Sequence, residues 1–216
     1  MLHNTATDWG WPSKILHWIG ALAVLVLLLH GWWMVHMTPR PERALNYAWH
    51  AAIGYDLLAL VVLRLLWRWL NPVPAMPRDL QRWEVIAARS GHIGLYVLLF
   101  VASLTGWALA GTFRTPFALD LFGVPVPQLL SGPGPNRIYH NLFEEAHMIS
   151  SYLLAALIAV HIVGSLRHHF LKRNDVMRRM WFGGRRAAPD AAALADAAST
   201  PAPAKSLSAP AKSLGS

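Results

Sequence analysis

The chain has 216 residues, 55% of them hydrophobic and only 14% charged, and a mean hydropathy of +0.33 makes it too apolar for an ordinary soluble domain. The absence of cysteine excludes disulfides, iron–sulfur clusters, thiolate-bound zinc and covalently attached c-type haem. A net charge of +8 with a pI near 10.4 would suit nucleic acid, but the basic residues flank apolar runs and fall on alternate connections, which is a membrane-topology pattern.

Four apolar stretches approach the roughly 20 residues that a bilayer core requires, at about 14–36, 47–70, 90–112 and 145–167. The first, KILHWIGALAVLVLLLHGWWMV, follows a short polar start holding Asp8 and no small-residue cleavage site follows it, so it reads as a retained helix. The second ends at Asn71-Pro72-Val73-Pro74, where a proline pair cannot continue a helix, and Trp67 and Trp69 suit an interfacial belt. The third runs through GHIGLYVLLFVASLTGWALAG, punctuated by glycine at both ends.

The connection from 113 to 144 holds Pro116, Pro125, Pro127, Pro133 and Pro135 and is longer than a helix–helix turn needs, so it is expected to cap one face of the bundle. The fourth span carries EEAHMISSYLLAALIAVHIVGSLRHHF. From 187 the sequence turns to Ala, Pro, Ser and Lys, with APAKSL at 202–207 and again at 209–214, the composition of a disordered tail. The expected fold is therefore all-α: an integral membrane four-helix bundle over 1–186, with a disordered tail over 187–216 and no large soluble domain.

Positive residues favour the cytoplasmic side. Placing the N-terminus, the 71–89 loop and the C-terminus on one side gives that side fifteen Lys and Arg residues, among them Lys14, Arg64, Arg68, Arg78, Arg82, Arg89, Arg167 and Lys172. The other side holds four: Arg40, Arg43, Arg114 and Arg137. Both termini are thus expected in the cytoplasm.

Eleven histidines is a high number for a membrane chain, because His in lipid is costly unless it has a partner. Under this topology His17 and His161 share the cytoplasmic depth, and His50 and His147 share the opposite one. His147 and His161 stand fourteen positions apart, which brings both to nearly one helix face and separates them by about 21 Å. Iron in a haem accepts one axial ligand from each side, so opposed helices that each supply a neutral imidazole form a simple cage, and two such cages fit. Zinc would need its ligands within a few ångströms, which that interval forbids for the helix-four pair.

Gly20, Gly54 and Gly164 follow three of these histidines at helical spacing, where small residues would let a flat macrocycle approach the backbone. By position alone His92 is the strongest rival to His17, and His30 is read as a lipid-facing or packing residue with an outside claim on the place of His50.

These residues resemble the bacterial four-helix cytochrome b561 family, over about residues 9–182. The matching stretches are ILHW, RLLWRWLNPVP, GHIGLYVLLF and EEAHMISSYLLAALIAVHIVGSLRHHFLKRNDVMRRM, the last being the most specific. The resemblance implies two non-covalent b-type haems, one bound by His17 and His161 and one by His50 and His147. It also implies membrane ubiquinone as an electron acceptor or donor, and superoxide or a periplasmic redox protein as the outer partner. It implies residence in the bacterial inner membrane.

With imidazole on both faces the iron is saturated, so outer-sphere electron transfer is expected and oxygenase or peroxidase chemistry is not. No residue is expected to act as a catalytic acid, base or nucleophile. Arg64, one turn from Arg68, is a candidate for neutralising haem propionates, since Arg matches carboxylate in bidentate fashion. His168, with His169, Arg167 and Lys14, is a candidate for holding quinone oxygens at the cytoplasmic end. Arg40 and Arg43 offer charge that would draw an anion to the outer haem, and Asp56 is the one acid well inside a span. The competing readings are a quinol-oxidising anchor relaying electrons to a periplasmic partner, and a non-redox carrier or scaffold.

Overall fold

The apolar stretches become helices longer than the expected spans, because polar residues at their ends extend them beyond the bilayer. The computed structural model describes residues 1–39, 42–77, 80–113, 120–121, 124–125, 127–130 and 137–182. They form α1 (Trp11–His36), α2 (Arg43–Leu70), α3 (Arg82–Ala110), β1 (Asp120–Leu121), β2 (Val124–Pro125), α4 (Arg137–Phe170) and α5 (Val176–Met180). α1 to α4 are each long and apolar enough to cross a membrane. Residues Met1–Gly184 make one compact unit. The 187–216 tail lies outside the described residues, as do Arg40, Arg78 and Arg114.

α3 begins two turns before its expected start because the Glu84 carboxylate accepts the Gln81 backbone N–H at 3.0 Å, closing the first turn. α4 begins two turns early as well, and its 34 residues reach about 50 Å, well past a hydrocarbon core of roughly 30 Å. β1 and β2 form a minimal antiparallel ladder within the α3–α4 connection, with Asp120 opposite Pro125 and Leu121 opposite Val124.

α1 packs on α2, α2 on α3, and α3 most extensively on α4. α1 and α4 make no comparable helix-to-helix packing. Between the two histidine depths Val24, Leu27, Leu57, Val61 and Leu154 form a buried apolar cluster, with Leu154 midway along α4 between His147 and His161. The interior is thus layered: imidazoles, an apolar plug, imidazoles.

The N-terminal residues, the α2–α3 connection and the end of α4 form a polar cap at the Lys14 end. Asn4 is buried, accepting the Gly10 N–H at 2.8 Å and the Ser13 hydroxyl at 2.7 Å, and donating to the Pro72 carbonyl at 3.0 Å. His3 bonds Asn71 at 3.1 Å, and the Ala75 N–H reaches the Ala6 carbonyl at 2.8 Å. Glu84 ties α3 to the end of α4 by accepting from Arg167 Nη1 and Lys172 Nζ, both at 2.7 Å. Its side chain is 2% exposed while those cations keep water contact, so the pair is held by geometry as well as charge. Glu84→Gln is expected to lower the thermal unfolding midpoint by several degrees while leaving bound cofactor in place, measured by scanning fluorimetry beside the absorption spectrum. An unchanged midpoint would show that the clamp adds no stability.

Candidate haem sites

The two expected histidine pairs come together. At the Lys14 end the rings of His17 on α1 and His161 on α4 lie 6.4 Å apart between centroids, inclined at 72°. At the other end His50 on α2 and His147 on α4 lie 6.0 Å apart, inclined at 89°. Two metal–nitrogen bonds of about 2 Å each, plus the distance from each nitrogen to its ring centre, put opposed axial imidazoles at roughly 6 Å. Both pairs therefore stand at the separation a single metal between them needs.

The surroundings fit a bound macrocycle as well. Gly20, Gly54 and Gly164 are all half-buried, yet a Cβ on any of them would meet nothing within 4 Å, so each leaves room beside the histidine one turn before it. A cavity lined by Gly20, Arg64, His92, Tyr96 and His161 occupies the Lys14 end. Nδ1 of His17 and Nδ1 of His50 are buried without a hydrogen-bond partner, so neither ring has a second contact that fixes its tautomer. His147 differs: its Nδ1–H donates to the Ala102 carbonyl at 2.8 Å, which fixes the tautomer and leaves Nε2 as the free donor, the usual arrangement of a ligating imidazole. Among the described residues no three His, Cys, Asp or Glu side chains converge as a metal cage, so the donors come in pairs.

Two glycines matter that spacing did not single out. A Cβ on Gly106 would stand 3.0 Å from the His147 ring, and one on Gly31 would stand 3.1 Å from the His50 ring. These glycines seat the imidazoles from behind, and no helical spacing from a histidine on their own helix announces it. Gly106→Ala is expected to displace His147 and to lower occupancy of that end by about half, read as the haem-to-protein ratio. A full complement would show that the ring can shift without cost.

Each pair carries a third imidazole. His92 lies 5.3 Å from His161 at 66°, so geometry keeps it a rival to His17, as position did. His30 lies 5.8 Å from His50 and bonds the Asn46 side chain at 3.3 Å, so it faces inward against His50 and is not lipid-facing.

Arg64 stands in the cavity with His92 and His161, its guanidinium 5.5 Å from the Tyr96 ring centre. His168 is elsewhere: its Nδ1 bonds the Asn174 side chain at 3.2 Å, while its carbonyl accepts the Asn174 N–H at 3.2 Å, fastening the turn after α4. Lys14 is buried and gives its ammonium to the Trp181 carbonyl at 3.0 Å. Arg43 donates to the Thr38 carbonyl at 2.9 Å and the Val35 carbonyl at 3.2 Å, so it caps the end of α1. Asp56 is half-buried in α2.

A four-helix membrane bundle with imidazoles opposed at two depths has the build of a b-type cytochrome. The sequence matches the family described as prokaryotic cytochrome b561 over residues 8–183, and the chain belongs to that family of membrane electron-transfer cytochromes. It is 29% identical to cytochrome b561 homolog 2 of Escherichia coli (strain K12), covering 82% of this chain and 93% of that one. It is 21% identical to the probable superoxide oxidase CybB of Yersinia pestis, over 76% of this chain and 90% of that one. It is also 22% identical to a probable Ni/Fe-hydrogenase B-type cytochrome subunit of Bradyrhizobium diazoefficiens, over 81% and 83%.

Proposed function

We propose that the chain is a di-haem cytochrome of the bacterial inner membrane that passes electrons between a donor at its outer end, superoxide in the leading case, and membrane ubiquinone. The observation that carries this reading is the stacking of two imidazole pairs, with centroids 6.4 and 6.0 Å apart, on either side of the Leu154 layer. When bound, haem supplies reversible one-electron iron chemistry. His17 with His161, and His50 with His147, would hold the two haems, with imidazole as the donor in each pair. Arg64 would balance propionate charge from within the cavity, at a burial where an unpaired guanidinium is costly. The Val24, Leu27, Leu57, Val61 and Leu154 layer keeps water from crossing between the two ends, so electrons cross without a continuous proton path.

The lopsided placement of Lys and Arg supports cytoplasmic termini, which puts the His50–His147 pair outside and the His17–His161 pair inside. Superoxide is favoured by the likeness to the probable superoxide oxidase. Arg43, tied to carbonyls, still leaves a positive charge at the outer rim. His168, held by Asn174, belongs to the turn that borders the proposed quinone end.

Stopped-flow mixing of the oxidised protein with superoxide, followed by decylubiquinone, tests the proposal. Haem reduction in the first step and reoxidation in the second are expected. Failure of superoxide to reduce the haems, with a quinol analogue succeeding, would favour the second reading: an anchor that oxidises quinol for a redox partner, as the likeness to a hydrogenase cytochrome subunit suggests.

A further inference from the structure

Trp18 follows His17 directly, and its indole stands edge-on to the His17 ring, with centroids 5.3 Å apart at 65°. On its far side it meets Trp181 at 5.4 Å and 87°. Phe182, next in sequence, has its ring 5.3 Å from that of Trp11. Trp181, Phe182 and Trp11 are 54%, 45% and 48% exposed. Ring contacts thus run from the His17 imidazole through Trp18 to the exposed Trp181, next in sequence to the Phe182–Trp11 pair at the Lys14 end.

The turn that brings Trp181 there is fastened at three points. The Trp18 indole N–H donates to the Met180 carbonyl at 2.9 Å, Lys14 Nζ to the Trp181 carbonyl at 3.0 Å, and Arg179 Nη1 to the Ala75 carbonyl at 2.6 Å. An ordinary belt tryptophan stands alone with its N–H toward headgroups, as the 84% exposed Trp69 is free to do. Here the polar handle of Trp18 and a buried lysine are used to hold one indole against another. Burying Lys14 carries a desolvation cost that makes sense if the position of that turn matters.

We propose that Trp18 and Trp181 relay electrons between the haem held by His17 and His161 and a membrane quinone that meets the chain at the Trp11–Trp181–Phe182 cluster. The inference rests on the haem placement proposed above. In each step one electron leaves ferrous iron, which becomes ferric, and the quinone gains that electron; a second passage completes its two-electron reduction, with protons taken from water. No covalent bond to the protein forms or breaks. The indoles stay unoxidised and act as a polarisable bridge that lowers the tunnelling barrier compared with saturated side chains. A flat quinone ring can lie against the exposed rings while its tail remains in lipid.

The test uses dithionite-reduced holoprotein mixed with decylubiquinone in a stopped-flow spectrometer. In Trp18→Leu and in Trp181→Leu, haem reoxidation is expected to slow about tenfold, with haem content and midpoint potentials at wild-type values. Trp18→Phe keeps a ring but loses the N–H, and is expected to stay within about twofold of wild type. Leu variants with full haem content that reoxidise at the wild-type rate would overturn the relay. Where Trp18→Leu loses haem, Trp181→Leu decides by the same criterion, since that side chain lies outside the helices that carry the histidines. A wild-type protein lacking a haem at the His17 end would overturn the proposed function first, and the relay with it.

Discussion

His147→Ala and His161→Ala are each expected to purify with about one haem in place of two, each keeping the haem at the other end of α4. The two residues share a face of one helix but stand on opposite sides of the Leu154 layer, so loss of one leaves the packing around the other intact. Removal of either imidazole takes α4's donor from its own depth, where the remaining rings, His17 with His92 or His50 with His30, all stand on other helices. The rival at the Lys14 end is resolved in the same series. His17→Ala is expected to lose that haem, whereas His92→Ala is expected to keep it with a perturbed spectrum, because the His17 ring stands 6.4 Å from His161 and that of His92 only 5.3 Å. Pyridine haemochrome assay against protein concentration checks each variant. Retention of haem in His17→Ala together with loss in His92→Ala would exchange their roles.

The second large effect is steric. Gly54→Leu and Gly20→Leu are expected to exclude the haem at their own end almost completely while helix content, read by circular dichroism, stays the same. The corresponding alanine variants are expected to bind it nearly as wild type, because a Cβ at either glycine would meet nothing within 4 Å. A leucine side chain would instead fill the space beside His50 or His17 into which a macrocycle must slide. If both leucine variants carry full haem, the room beside these glycines belongs to lipid or to helix packing.

Much of this architecture is legible in the sequence because its determinants are one-dimensional. Apolar length sets the spans, and a fourteen-position interval on one helix sets two depths, whatever the loops do. The placement of Gly20, Gly54 and Gly164 follows from the same periodicity. What the sequence leaves hidden depends on contacts across the chain. Gly31 and Gly106 seat imidazoles on other helices, so nothing near them marks their purpose. The early start of α3 comes from Glu84, whose cationic partners Arg167 and Lys172 lie far along the chain. His168 and Arg43 look like free cationic or hydrogen-bonding groups in sequence, yet the first is held by Asn174 and the second spends its donors on carbonyls. The polar cap built on Asn4 is equally invisible, since an Asn in a short leader carries no pattern.

Little of each span is buried inside the bundle, so the spans keep most of their apolar surface exposed, as helices that cross a membrane do. α1 and α4, which supply His17 and His161, pack on one another far less than α3 packs on α4. Purified wild-type protein, assayed by pyridine haemochrome beside a reduced-minus-oxidised spectrum, is predicted to hold about two b-type haems per chain; a ratio near one, or the absence of a b-type spectrum, would contradict it.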